Sequence, residues 1–248
     1  FASDTLARFN DLLARPHGIV LVTGPTGSGK TTTLYAALSK MDSSVQKIIT
    51  VEDPVEYRLP RISQVQLHEK IGLTFASVLR ATLRQDPDIL LVGEIRDAES
   101  AEIALRASMT GHMVLSTLHT NDAITSAMRL LDIGVDGYLV APALKAIVAQ
   151  RLVRRICTSC IQPHSPDANE HQLLAVIGKG RDYSNVVFKK GTGCPRCHNT
   201  GYRGRIGVFE ILELNPKHHG RCKLYLKHQS QLLNFQEYYS MSFLSQLY

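Results

Sequence analysis

The sequence predicts an α/β fold: a mostly parallel sheet covered by helices on both faces, with a small cysteine-rich satellite after it. Three observations predict this. Short, β-branched apolar runs alternate with helix-period segments through roughly the first 150 residues. The first run, Gly18 to Val22, leads straight into Gly24-Pro25-Thr26-Gly27-Ser28-Gly29-Lys30-Thr31, a G-x-x-x-x-G-K-T phosphate loop. Past the alternation come Cys157-Thr158-Ser159-Cys160 and Cys194-Pro195-Arg196-Cys197, two C-x-x-C pairs of the kind that hold a metal.

Taken in order, Leu6, Phe9, Leu12 and Leu13 recur at helical spacing over residues 3 to 14, with Ser3 or Asp4 as the cap. Ile19 to Val22 reads as a buried parallel strand and Thr32 to Lys40 as the helix after the phosphate loop. Lys47 to Val51, rich in β-branched residues, is a second strand that delivers Glu52 and Asp53 to its C-terminal end before Pro54. Phe75, Val78, Leu79 and Leu83 predict a helix over 75 to 84, which Pro87 ends. Asp88 to Val92 is a third strand leading to Gly93 and Glu94. Ala98 to Met109 is a helix stopped by Gly111, and Val114 to Leu118 a fourth strand flanked by His112 and His119. Helices are expected at about 122 to 132 and 138 to 151, and a short one between Asp167 and Gly180.

With 44% hydrophobic and 20% charged residues in 248, the chain has the composition of an ordinary globular protein. No apolar run reaches the length of a membrane span, and no basic-then-apolar leader precedes the fold. Phe1 in place of Met reads as an internal fragment. The net charge of +6 is modest and is expected to be spread along the chain. A nucleic-acid motor is the competing class. Against it, no basic stripe is interleaved with aromatics, and the chain has no Trp and 6% aromatic residues for stacking bases.

The chemistry follows from residue types at fixed spacing. Glycines at 24, 27 and 29 let successive N–H groups of the loop Gly24, Pro25, Thr26, Gly27, Ser28, Gly29 turn inward around phosphate oxygens at a helix N-terminus. Lys30 is placed for the β- and γ-phosphates and Thr31, followed by Thr32, for the bridging magnesium. Ligands of such sheets bind at the C-terminal strand ends, where Gly24, Glu52, Glu94 and His119 all fall. Glu94 ends its strand where a carboxylate orients the attacking water or holds the hydration shell of the metal, and Glu52 is a second candidate for activating water. His112 and His119 are expected to sense the γ-phosphate. Cys157, Cys160, Cys194 and Cys197 form a closed, all-thiolate zinc site whose metal affinity becomes folding energy; Cys222 is left over.

In order, the phosphate loop, Thr50 to Glu56, Leu83 to Asp88, Gly93 to Asp97 and Thr110 to Asn121 resemble the secretion and type IV pilus assembly ATPases. The resemblance covers about residues 5 to 215. It implies a RecA-like ATPase core over 1–153, a tetracysteine zinc subdomain over 154–205 and a C-terminal segment over 206–248. That segment departs from the family after 215 and is expected to be helical. It implies ATP, Mg2+ and Zn2+ as cofactors, with Lys30 and Thr31 on phosphate and magnesium, Glu52 and Glu94 supporting hydrolysis, and His119 with His112 on phosphate. The working state it implies is a homo-hexamer on an inner-membrane platform protein, cytoplasmic and peripheral at the bacterial inner membrane, membrane-associated through partners and without nucleic acid. The tetracysteine motif, absent from the retraction relatives, favours pilus extension or secretion. Glu56 to Ile62 and Gly137 to Val140 look most like the mannose-sensitive haemagglutinin type of pilus ATPase. In the family an upstream domain supplies arginine fingers, so this stretch is expected to hydrolyse ATP slowly on its own. A scaffold gated by nucleotide without turnover is the non-enzymatic alternative.

Overall fold

The run Gly18–Thr23 forms β1, and all six of its residues are buried. Alternate side chains enter different cores, Ile19 and Leu21 on one side and Val20 and Val22 on the other. A strand apolar at every position needs cover on both faces, and the rest of the fold supplies it. The computed structural model describes residues 3–120, 122–178, 183 and 186–214. The tail from Pro216, Cys222 and Asn121 lie outside the described residues.

The elements run α1 (Ser3–Leu13), β1, α2 (Lys30–Leu38), β2 (Ile48–Glu52), β3 (Ser63–Gln66), α3 (Phe75–Leu83), β4 (Ile89–Val92), α4 (Ala98–Met109), β5 (Met113–Leu118), α5 (Ala123–Asp132), α6 (Gly137–Ala143) and β6 (Leu144–Ile156). After these come β7 (Ile161–Pro163), α7 (Ala168–Gly178), β8 (Lys189–Gly191) and β9 (Tyr202–Glu213). The main sheet has the order β3-β2-β4-β5-β1-β6-β9, and its strands pair in parallel from β3 through β6. Phe9 and Leu12 of α1 and Leu34 and Leu38 of α2 pack on Val20 and Val22. Leu79 of α3, Leu105 of α4, Leu130 of α5 and Leu139 of α6 pack on Ile19 and Leu21. Helix starts are fixed locally: Asp97 accepts from the Ser100 amide at 2.8 Å, and Thr74 and Ser77 form a reciprocal box before α3.

Three elements differ from expectation. The helix expected over 138 to 151 stops at Ala143, just past Pro142, and the chain continues as β6. Leu144, Ala146, Ile147 and Val148 are buried beside β1, so pairing in the sheet overrides a pattern that also fits a helix. The short β3 was missed because Ser63-Gln64-Val65-Gln66 is polar and lies at the sheet edge, where little apolar surface is required. β9 carries Arg203, Gly204, Arg205 and Gly207 at its start and so lacks a strand signature there.

The chain divides into two compact units, Phe1–Arg151 together with residues from Phe209, and Leu152–Val208. The second unit contains the antiparallel pair β7 and β8, with Ile161 opposite Gly191, and α7 within the span expected for a short helix. The charge is not spread along the chain. Residues 152–208 hold nine Lys or Arg against three Asp or Glu, and the remaining residues hold nineteen of each, so the net +6 lies in that span. Among the described residues no helix is long and apolar enough to cross a membrane.

Candidate functional site

The phosphate loop joins β1 to α2 in the conformation that its glycines permit. Gly24, Gly27 and Gly29 have φ of 149°, 77° and 86°. A Cβ on Gly24 would come within 2.4 Å of the Gln150 carbonyl and 2.6 Å of Ser28 Oγ, so position 24 accepts no side chain. Gly29 caps α2 with no side-chain hydrogen bond, which leaves the first amides of the helix to a ligand. Ser28 Oγ is buried without a hydrogen-bond partner. An uncapped helix start and an orphaned hydroxyl inside a glycine-lined loop are what a phosphate group would satisfy. The Lys30 ammonium donates to the carbonyls of Gly24 at 2.9 Å and Pro25 at 3.2 Å. Burial holds its pKa below the ordinary lysine value, with Glu94 opposing the shift and Arg151 adding to it. Thr31 is half-buried at the start of α2, while Pro25, Thr26, Gly27 and Thr32 are exposed.

The acidic residues collect at the C-terminal edge of the sheet. Gly93 N–H donates to the Val51 carbonyl at 2.8 Å, and Thr117 Oγ1 donates to the Gly93 carbonyl at 2.7 Å, which levels the ends of β2, β4 and β5. Glu94 is partly buried, accepts from Arg96 at 2.5 Å and lies 3.5 Å from His119 Nε2. Arg96 also reaches Asp53 at 3.7 Å. Thr23 Oγ1 donates to the Thr120 carbonyl at 3.2 Å, which ties the residue after His119 to the end of β1. Glu52 is different. It is 3% exposed, and its carboxylate accepts from the Tyr35 hydroxyl of α2, from Thr50 Oγ1 at 2.5 Å and from Gln64 Nε2 at 3.2 Å.

Of the two histidines, the structure brings only His119 to this group. His112 precedes β5, and its Nδ1 lies 3.0 Å from the Ala107 carbonyl. The six residues of β5 separate it from His119, seven steps of nearly extended chain or about 23 Å at the usual strand rise. The reason is the polarity of a parallel strand, whose two flanks lie at opposite edges of the sheet.

In the second unit the four cysteines converge. Their sulfurs all lie within 4.8 Å of one another, with Cys157 to Cys194 and Cys160 to Cys197 each at 3.9 Å and Cys194 to Cys197 at 3.7 Å. Four sulfurs at about 2.3 Å around a tetrahedral zinc stand about 3.8 Å apart, so the set fits that ion. The Cys194 amide donates to Cys197 Sγ at 3.2 Å. Burial pushes the Cys197 thiol up, but the backbone N–H groups of Cys194 and Gly201 together with the thiols of Cys194 and Cys160 outweigh it and bring the pKa to about 6. The knuckles pack backbone to backbone: a Cβ on Gly191 would meet the Gly201 carbonyl at 2.1 Å.

A family model described as Type II/IV secretion system protein matches residues 1–241. The chain belongs to this family. It is 54% identical over 206 residues to the type II secretion system protein E of Pectobacterium carotovorum subsp. carotovorum, covering 83% of this chain and 40% of that protein. It is 49% identical over 213 residues to the type IV pilus assembly ATPase PilB of Myxococcus xanthus, covering 86% of this chain and 37% of PilB. The crystal structure of the pilus retraction motor PilT with bound ADP matches with a TM-score of 0.68 and 30% identity, over 97% of this chain and 60% of that one. The chain spans less than half the length of the curated relatives it matches.

Within this secretion-family core, four residues that sequence reasoning passed over shape the site. Gln150 of β6 donates to the Ser28 carbonyl at 2.7 Å and accepts from Thr33 Oγ1 at 2.8 Å, clasping the phosphate loop from a strand more than a hundred residues away. Tyr35 and Gln64 hold Glu52. Arg96 was within reach of sequence reading, because it lies two residues past Glu94 at the same strand end. Gln150, Tyr35 and Gln64 carried no such signal, since Gln150 and Tyr35 lie in segments that read as plain helix and Gln64 in a polar stretch with no strand signature.

Proposed function

We propose that this chain is the ATP-hydrolysing half of a motor that powers type II protein secretion or the assembly of type IV pili. The observation that carries the reading is the uncapped phosphate loop facing Glu94 across the sheet edge, with the charge of Glu94 acting on Lys30. Lys30 exchanges the carbonyls of Gly24 and Pro25 for β- and γ-phosphate oxygens. The Thr31 hydroxyl would hold magnesium, which would supply positive charge to offset that of the phosphates. Glu94 orients the attacking water, and His119, beside it and half exposed, contacts the γ-phosphate. Glu52 supports hydrolysis from a buried position. The four cysteines hold a structural zinc ion.

As a complete machine the protein works as a homo-hexamer at the cytoplasmic face of the inner membrane, against a platform protein, and the tetracysteine motif favours extension over retraction. Among pili, the mannose-sensitive haemagglutinin type fits Glu56 to Ile62 best. The concentration of positive charge in 152–208 supports a second reading, a DNA-translocating motor. Against it, Tyr202 is covered by the Arg154 guanidinium at 4.1 Å and Phe188 packs against Tyr183.

The test is phosphate release by this chain, alone and joined to the upstream half of a relative that carries the arginine fingers, each beside its Glu94→Gln form. The joined protein is expected to turn over faster by on the order of a thousandfold, and Glu94→Gln to abolish turnover while ATP still binds. Binding without turnover in either form moves the reading to a nucleotide-gated scaffold. Turnover that rises with DNA and falls steeply with salt moves it to nucleic acid.

A further inference from the structure

Glu52 is buried at the end of β2, and both of its carboxylate oxygens accept hydrogen bonds from side chains of the surrounding elements. One of its donors stands apart from the others. Thr50 belongs to the same strand and Gln64 to the neighbouring β3, so neither is carried by the phosphate-loop helix, although Gln64 Nε2 also donates to the Tyr35 hydroxyl at 3.3 Å. Tyr35 belongs to α2, the helix whose first residues are Lys30 and Thr31. Its side chain is fully buried and its ring meets Tyr57 edge-on at 4.7 Å, so the hydroxyl has little room to point elsewhere. Burial, and then the bond to Glu52, holds the Tyr35 pKa far above the usual phenol range, so the hydroxyl keeps its proton and acts as donor.

The geometry points to Tyr35 as a positioning residue for hydrolysis: a strut that carries the position of the phosphate-loop helix to the carboxylate of Glu52 and through it to the acidic edge of the sheet. The physical argument is stiffness. Five residues of continuous helix join Lys30 to Tyr35, and a helical segment that short moves as a rigid body. Phosphate drawn onto Lys30 and the first amides of α2 therefore displaces the Tyr35 hydroxyl with them. Glu52 follows its donor, because leaving a buried carboxylate short of a hydrogen bond is costly. Directly beyond Glu52 in the chain is Asp53, which shares Arg96 with Glu94. On the other side, the Glu52 Cα lies 3.3 Å from where a Cβ of Gly93 would be. The residue that orients water is thus flanked by groups whose places depend on Glu52.

This inference rests on the ATPase reading above. The test is steady-state turnover of the joined protein as wild type, Tyr35→Phe, Glu52→Gln and the double variant, with kcat and KM for Mg-ATP separated and thermal melting recorded for each. Tyr35→Phe keeps the ring and removes one hydroxyl. It is expected to lower kcat by about tenfold with KM changed less than about twofold, since a hydrogen bond to a charged group is lost at a step after binding. In the Glu52→Gln background the same change is expected to cost nothing further, because the strut then ends on a neutral amide. That pair of proteins carries the test even if Tyr35→Phe alone fails to fold, because the buried charge is gone from both. A raised KM at unchanged kcat, or an additional loss on top of Glu52→Gln, overturns the strut. Wild-type turnover that Glu94→Gln abolishes keeps the ATPase reading whatever Tyr35→Phe does, so the two can fail separately.

Discussion

In the first unit, β1, β4, β5 and the start of β6 are apolar at nearly every position and buried on both faces by helices. In the second unit the buried hydrophobic side chains among the described residues are Cys157, Cys197 and Val208, and α7 leaves Leu173 and Val176 exposed. The first unit has balanced charge and the second holds the surplus. A polypeptide of fewer than sixty residues with so little apolar burial does not offset its conformational entropy by the hydrophobic effect alone. The comparison teaches that two kinds of cohesion operate in one chain: side-chain packing in the nucleotide unit, and four thiolates drawn to one point in the other.

The largest effect expected from this contrast is removal of the proposed zinc. Structural zinc contributes on the order of 10 kcal/mol or more to small domains. Stripping with a strong chelator, or Cys157→Ser, is expected to open residues 152–208 to limited proteolysis while nucleotide binding by the first unit persists. One zinc per chain by metal analysis, lost in the variant, completes the picture; a metal-free second unit that still resists protease breaks the comparison.

The reverse experiment has a middle-sized effect. Leu79 of α3 is fully buried against the sheet, and Leu79→Ala is expected to cost the first unit about 2–5 kcal/mol in denaturant melting. Zinc content is expected to stay at one per chain. Zinc loss in step with that unfolding would mean the two units fold as one.

The smallest effect sharpens the electrostatic side. Burial raises the pKa of Glu210 on β9, with Asp122 adding to the shift and Arg151 opposing it. A carboxyl group with a raised folded-state pKa stabilises below its ordinary value, and that stability is lost as pH rises through the raised one. Glu210→Gln is therefore expected to raise the melting temperature of the first unit at neutral pH and leave it unchanged near pH 4. An equal rise at both pH values would assign the gain to packing instead.

The nucleotide unit was legible to the extent that its strands are buried on both faces. β1, β2, β4 and β5 announce themselves as apolar runs, and the residues at their C-terminal ends fall where a parallel sheet binds ligands. Edge and boundary strands were not legible. Ser63-Gln64-Val65-Gln66 has no apolar face to display, and Leu144 to Val148 fits a helix as well as a strand until β1 is known to lie beside it. The site divides in the same way. Lys30, Glu94 and His119 follow from local spacing, and the meeting of two distant C-x-x-C pairs follows from thiol chemistry. The hydrogen bonds that hold Glu52 come from α2 and β3, and no spacing rule joins Tyr35 or Gln64 to position 52. His112 and His119 group together in the sequence because they flank one strand, whereas the direction of that strand sets them at opposite edges.

A Cβ at Gly93 would come within 3.3 Å of both the Val51 carbonyl and the Glu52 Cα. The ends of β2 and β4 therefore act as a gauge: any side chain at position 93 presses on the backbone of the neighbouring strand, and that strand carries Glu52. The gap between two backbones thus sets where this strand end carries its carboxylate, one residue further on at Glu94.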